Sequence, residues 1–337
     1  MPRRRIFSQR KSAARYRLPI GLILLALTVV LCLIIPTNPL DNSIVDLPGR
    51  KLPTLLPTRT ALPAPTKPHI GRIIFTCTRG DFNQLCWINA DGSGYQQLTS
   101  TEAHNYYPVF SPRGGSIVYA SNQNGGAFDL FLFIFEGTRL FRLTNFIGNV
   151  ISPSFSPDGT RILFANRAGE GPTSLWTIDN TGNNPDLLYA GLNSIVAADW
   201  SPDGKTIAFV MAVDRPGAYE VFLMDADSSN VRQLTRGLIG IGGSVDWSPD
   251  GAYLLIHAGP EGDKNIFRID VAVQTATQLT NGGNNASATY SYDGQWIAFN
   301  SLRNNGQADI FIMRPDGAEI RQVTSDSEPD WQPQWEP

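Results

Sequence analysis

Trp200-Ser201-Pro202-Asp203-Gly204 is the stretch on which the reading of this chain turns. It returns as Phe155-Ser-Pro-Asp-Gly159 and Trp247-Ser-Pro-Asp-Gly251, and with single changes as Phe110-Ser-Pro-Arg-Gly114 and Tyr290-Ser-Tyr-Asp-Gly294. Successive serines (Ser111, Ser156, Ser201, Ser248, Ser291) are 45, 45, 47 and 43 residues apart. Pro presets φ, Asp can bond the backbone two residues on, and Gly supplies positive φ, so each copy reads as a tight turn.

Each turn is followed by a short run of β-type residues, as in Arg161-Ile-Leu-Phe-Ala165 and Trp296-Ile-Ala-Phe-Asn300. A second apolar run comes next, for example Asp129-Leu-Phe-Leu132, Glu220-Val-Phe-Leu-Met224 and Asp309-Ile-Phe-Ile-Met313. A closing strand then ends near Leu-Thr: Leu98-Thr99, Leu143-Thr144, Leu234-Thr235, Leu279-Thr280 and Val323-Thr324. Four short antiparallel strands every 45 or so residues make one blade, and one blade cannot bury both faces alone. The predicted fold is therefore all-β, a six-bladed β-propeller over residues 68–337. Pro333-Gln-Trp-Glu-Pro337 matches Pro108-Val-Phe-Ser-Pro112, and Lys67-Pro-His-Ile-Gly-Arg-Ile-Ile-Phe75 lacks an inner strand. The C-terminus is thus expected to close the first blade.

The string W/F-S-P-D-G, then I-x-F, D-I-F-x-M, D-G and L-T resembles the TolB-type, WD-like propeller repeat. The likeness is specific for fold and much less so for function. It implies an envelope binding module. The extra α/β domain and the partner-binding N-terminal segment that the family carries have no place in the Pro-rich stretch before the repeat. Similar propellers accompany prolyl-oligopeptidase-type peptidases and form some sugar-active enzymes, yet no G-x-S-x-G occurs here.

The N-terminal part reads differently. Residues 1–17 hold Arg3, Arg4, Arg5, Arg10, Lys11, Arg15 and Arg17. They precede an apolar run, Leu18–Ile35, of about 27 Å at 1.5 Å per residue, enough to span a hydrocarbon core. We expect one transmembrane signal-anchor over 18–36 with the basic tail in the cytoplasm and the body outside, a single-pass cell-membrane protein. A cleaved signal peptide and a lipoprotein at Cys32 are the competing readings. Residues 37–67 form a Pro-rich linker of up to roughly 100 Å in extended geometry.

Charge and composition narrow the function. Removing residues 1–36 leaves 20 basic and 30 acidic side chains, so the body repels phosphates and nucleic acid is a poor ligand. Three His and three Cys residues, without metal-type spacing, give a zinc or His-based catalytic site little material. The expected function is a non-catalytic binding module for an envelope protein or peptide, with a carbohydrate or cell-wall propeller as the alternative. No cofactor is expected beyond a bound calcium ion.

Candidate binding residues lie on the loops leading into the inner strands: Glu102, His104, Asn105, Asn149, Asn193, Asn284, Asn285, Asp326, Glu328 and Asp330. Polar side chains there can bond sugars or peptide backbone, or are ordinary solvated turns. Tyr106 and Trp331 hold matching positions in neighbouring blades, as a stacking platform or as interblade packing. Asp199 and Asp246 stand just before the Trp of two adjacent copies, where other copies have Val109, Ser154, Thr289 and Gln334. Strand alternation aims both away from the Trp, toward the axis. They either bond backbone of the neighbouring blade or form an acidic patch for calcium or a basic partner group. Asp158, Asp203, Asp250 and Asp293 read as turn residues. Cys77 and Cys86 lie in consecutive strands and form a disulfide or, as the slightly favoured reading, remain buried thiols.

Overall fold

The computed structural model describes residues 71–145, 147–213, 217–304 and 306–337. The anticipated tail (1–17), span (18–36) and linker (37–67) lie outside them. Among the described residues no helix is long and apolar enough to cross a membrane.

The described residues form 24 strands in six four-stranded antiparallel sheets. These are the six blades. Their innermost strands are Asp330–Trp335 (blade 1), Asn105–Phe110 (2), Asn149–Phe155 (3), Ile195–Trp200 (4), Asp246–Trp247 (5) and Ala286–Tyr290 (6). Blade 1 is completed as expected. The C-terminal strand runs antiparallel to Arg72–Arg79, with Ile73 opposite Trp335 and Cys77 opposite Asp330.

Burial explains why six blades are needed. The core falls into six clusters, and each joins two neighbouring blades. Ile73, Phe75 and Trp335 of blade 1, for instance, pack on Ala298, Ile310 and Val323 of blade 6. A sheet apolar on both faces is stable only between two others, and the ring supplies a neighbour on each side.

The recurrent turn has a local cause. In four copies the Ser hydroxyl donates to the Asp carboxylate at 2.6 Å (Ser156–Asp158, Ser201–Asp203, Ser248–Asp250, Ser291–Asp293). The same hydroxyl accepts from the backbone N–H five residues on, at 2.9–3.0 Å. The four aspartates are thus turn residues. Gly204 sits at φ 70°, and a Cβ there would lie 3.7 Å from Pro157 of the preceding blade. The turns therefore stack from blade to blade.

The Leu-Thr ending is explained in the same way. The Thr hydroxyl accepts from a backbone N–H of the third strand at 2.9 Å (Thr99 from Leu85, Thr144 from Leu130, Thr235 from Val221, Thr280 from Ile266). It donates to a polar residue near the start of that strand, Gln84, Asp129, Glu220 or Asn265. In these four blades the buried Thr hydroxyl is satisfied inside its own blade.

Cys77 and Cys86 are joined in a disulfide, with Cα atoms 5.9 Å apart. The preference for two free thiols is corrected. The two-residue turn at Gly80-Asp81 brings the strands into register, and both side chains fall on the same buried face.

Candidate functional site at the propeller axis

The six inner strands line a narrow channel with about 110 Å³ of open space. Each strand contributes the residue just before its aromatic: Gln334, Val109, Ser154, Asp199, Asp246 and Thr289 in blade order. A β-bulge sets this up. Tyr107, Ser152, Ser287 and Gln332 occupy one equivalent position with φ of 55°, 49°, 51° and 53°, and the register shifts beside each of them. A bulge turns the chain locally and re-aims side chains, here onto the axis.

Asp199 and Asp246 are both on the channel wall, and both also clasp the next blade. The Asp199 carboxylate accepts from Ser154 Oγ at 2.6 Å, from Trp200 N at 3.0 Å and from Trp247 N at 3.2 Å. Asp246 Oδ2 accepts from Tyr290 N at 2.8 Å. Its Oδ1 lies 3.0 Å from Thr289 Oγ1, which lies 3.2 Å from Gln334 Oε1. One hydroxyl proton cannot serve two acceptors. Two arrangements resolve this: a protonated Asp246 donates to Thr289 while Thr289 donates to Gln334, or the Gln334 amide turns so that its Nε2 donates to Thr289 and Thr289 donates to Asp246. Burial raises the pKa of Asp199, and burial together with the Asp199 charge raises that of Asp246. The two acids and their neighbours form a polar girdle, interrupted at Val109.

The loop candidates are placed less favourably for a ligand. His104, Asn149 and Asn284 are repeat equivalents, and each side chain accepts from a backbone N–H of the preceding blade. The donors are Asn83 at 3.3 Å, Phe128 at 3.0 Å and Lys264 at 3.2 Å. Asn105 and Asn285 are fully buried, with their amide N–H groups directed at Thr99, Thr101 and Gln84 or at Thr280, Asn265 and Gly282. Their role is to close the seams between blades. Asp330 is fully buried in the equivalent slot of the closing strand. Tyr106 is half-buried against His104, 6.0 Å away and parallel, and against Phe128. Trp331 is half-buried one blade away. Among the described residues no trio of His, Cys, Asp or Glu comes together to hold a metal ion.

Two residues that sequence reasoning passed over stand out on the same face. Leu192 is 98 % exposed and Ile239 is 75 % exposed. Both sit eight residues before the inner aromatic of their blades, Trp200 and Trp247. Aligning the loops as well as the strands would have found them.

Comparison with known proteins agrees with this architecture. Residues 172–337 match the TolB beta propeller domain family. An uncharacterized protein of Agrobacterium fabrum is 32% identical over 118 residues, 35% of this chain and 39% of that protein. The Tol-Pal system protein TolB of Anaeromyxobacter dehalogenans is 30% identical over 119 residues, 35% of this chain and 27% of its own. The matched stretch is thus well under half of either relative. The crystal structure of TolB from Acinetobacter baumannii superposes with a TM-score of 0.70 at 22% identity, over 79% of this chain and 67% of that one. That likeness is one of fold. By its six blades, its closing strand and its repeat, the described body of this chain is a TolB-like β-propeller.

Proposed function

We propose that this propeller is a non-catalytic scaffold that docks an envelope protein or peptide on the face where the loops lead into the inner strands. The chain would be held at the cell membrane through residues 18–36, with the propeller on the extracytoplasmic side. The observation that carries the docking face is the combination of exposed Leu192 and Ile239 on the loops entering the inner strands of adjacent blades with half-buried Tyr106 and Trp331 at the start of two other inner strands. Exposed aliphatic and half-buried aromatic groups on one loop face suit a peptide segment better than a buried small molecule. A basic side chain of the partner entering the channel would meet Asp199 and Asp246. The disulfide between Cys77 and Cys86 is in keeping with an oxidising compartment.

The test is crosslinking of the full chain in its native cells, followed by identification of captured proteins. Leu192→Glu combined with Ile239→Glu should abolish the capture while leaving the thermal unfolding profile intact. Equal capture by the folded double variant would rule out this face. Binding on a glycan array with no protein captured would favour the carbohydrate reading instead.

A further inference from the structure

The seam between blades 6 and 1, where the ring closes, places carboxyl groups where two other seams place amides. At the seams between blades 1 and 2 and between blades 5 and 6, the slot is filled by Asn105 and Asn285. Asn285 Nδ2 donates to Asn265 Oδ1 at 3.3 Å, Thr280 Oγ1 at 3.1 Å and Gly282 O at 2.9 Å. The closing seam has Asp330 in this slot and Asp309 where Asn265 stands. The backbone is the same in both: Asp330 N donates to Ala308 O at 2.8 Å, as Asn285 N donates to Lys264 O at 2.8 Å.

An amide brings two N–H donors to this slot, and an ionised carboxylate brings none. The consequence is visible. Both Asp330 oxygens and Asp309 Oδ1 are buried without a partner in good hydrogen-bond geometry, and the hydroxyl of Thr324, which accepts from Ile310 N at 2.9 Å, is an uncharged donor beside Asp330. Asp309 Oδ2 is satisfied by Gln322 Nε2 at 2.9 Å. The cation nearby does not repair the deficit. Arg79 Nη1 is 3.6 Å from Asp330 Oδ1, beyond hydrogen-bond reach, and its guanidinium is committed to Thr78 O, Tyr95 and Asp326. The charged and titratable groups facing Asp330 are thus Arg79 on the adjacent strand of blade 1, Tyr95 beside that arginine, Asp309 on blade 6, and Asp326 on the loop leading into the closing strand. Three acids meet one committed base.

We propose that Asp330 is a proton-operated latch on ring closure: protonated, it supplies the donor that Asn supplies at two other seams; ionised, it leaves three acids facing one another across the closing strand. Burial, and then the charge of Asp326, hold its pKa up to about 7, against about 3.9 in an unfolded chain. The folded state therefore binds a proton that the unfolded state has released. Stability from this site is full below about pH 4 and is lost as pH rises through about 7. The strand that closes the ring would loosen as its surroundings become neutral or alkaline.

The experiment is thermal unfolding of the full chain at pH 5 and pH 8, parent against Asp330→Asn, with hydrogen exchange of the segment 326–337. The variant should match the parent at pH 5 and exceed it at pH 8 by more than about 3 °C. The parent's closing strand should exchange at least about tenfold faster relative to the variant at pH 8. Effects of other titrating groups cancel in the difference between the two chains. An unchanged pH slope, a variant less stable at pH 8, or a variant that fails to fold would each overturn the proposal, because Asn already serves this position elsewhere. An infrared band of a protonated carboxyl at pH 5 that is absent from Asp330→Asn is the direct readout, and its persistence in the variant would count against the assignment.

Discussion

Replacing Trp335 by Ala should weaken the whole ring, because this side chain joins the last residues of the chain to the first blade. Trp335 is 5 % exposed and packs among Ile73, Phe75 and Ile88 of its own blade and Ala298, Ile310 and Val323 of blade 6. A buried Trp removes roughly 200 Å² from water, which at about 25 cal/mol per Å² is about 5 kcal/mol. The Ala methyl retains about 1 kcal/mol of that. Trp335 Nε1 is buried without a partner, so removing it returns about 1 kcal/mol or more. The net loss is about 3 kcal/mol, within the range for large-to-small core changes. For a domain of this size that lowers Tm by about 6–12 °C. Trp335→Phe is the control. Phe110 and Phe155 fill the equivalent slot in blades 2 and 3, and Phe carries no orphan N–H, so its cost should stay within about 1 kcal/mol. Circular dichroism melting of parent and both variants is the assay. An Ala variant melting within about 2 °C of the parent would refute the claim that this slot holds the ring closed.

Four further outcomes follow from the same geometry. Asp246→Asn should be tolerated within about 1 kcal/mol, since its amide can donate to Thr289 and its carbonyl can accept from Tyr290 N, whereas Asp199→Asn faces three donors and should lose about 1–3 kcal/mol; urea unfolding reads both. Because burial and Asp199 raise the pKa of Asp246, the parent loses stability from this group as pH rises above about 4, so the stability of Asp246→Asn relative to the parent should increase with pH. Reducing the Cys77–Cys86 bridge, which spans nine residues, should lower stability by up to about 2.5 kcal/mol, measured by melting with and without reductant. Gly242→Ala would place a methyl 1.7 Å from His257 Nε2; calorimetry should show a loss of about 1–3 kcal/mol, the usual cost of overpacking.

The repeat alone determined the blade count, the closing strand and the position of Asp199 and Asp246 on the channel side of their strands. Ser-Pro-Asp-Gly is a local instruction: its hydroxyl, carboxylate and glycine satisfy one another within six residues, so the turn is legible wherever it is written. Ring closure was legible because a missing inner strand at one end and a spare one at the other leave one topology that exposes no inner edge.

What only the tertiary structure decided is where buried polar groups find partners. His104, Asn105 and Asn149 looked like solvent-facing loop residues, yet they bond groups 21 or so positions away on the preceding blade. Nothing in a linear string marks that distance. The bulge that aims Tyr107, Ser152, Ser287 and Gln332 onto the axis is hidden for the same reason, since four different residue types share one backbone conformation. Asp330 was visible as an acid on a loop, but its lack of donors is a property of the seam. It emerges only when Asp309 and Asp326 arrive from blade 6 and Arg79 from blade 1, each already spoken for by a neighbour or bringing the same charge. Local turn chemistry is written in sequence; the proton balance of a buried junction is set by what packing brings to it.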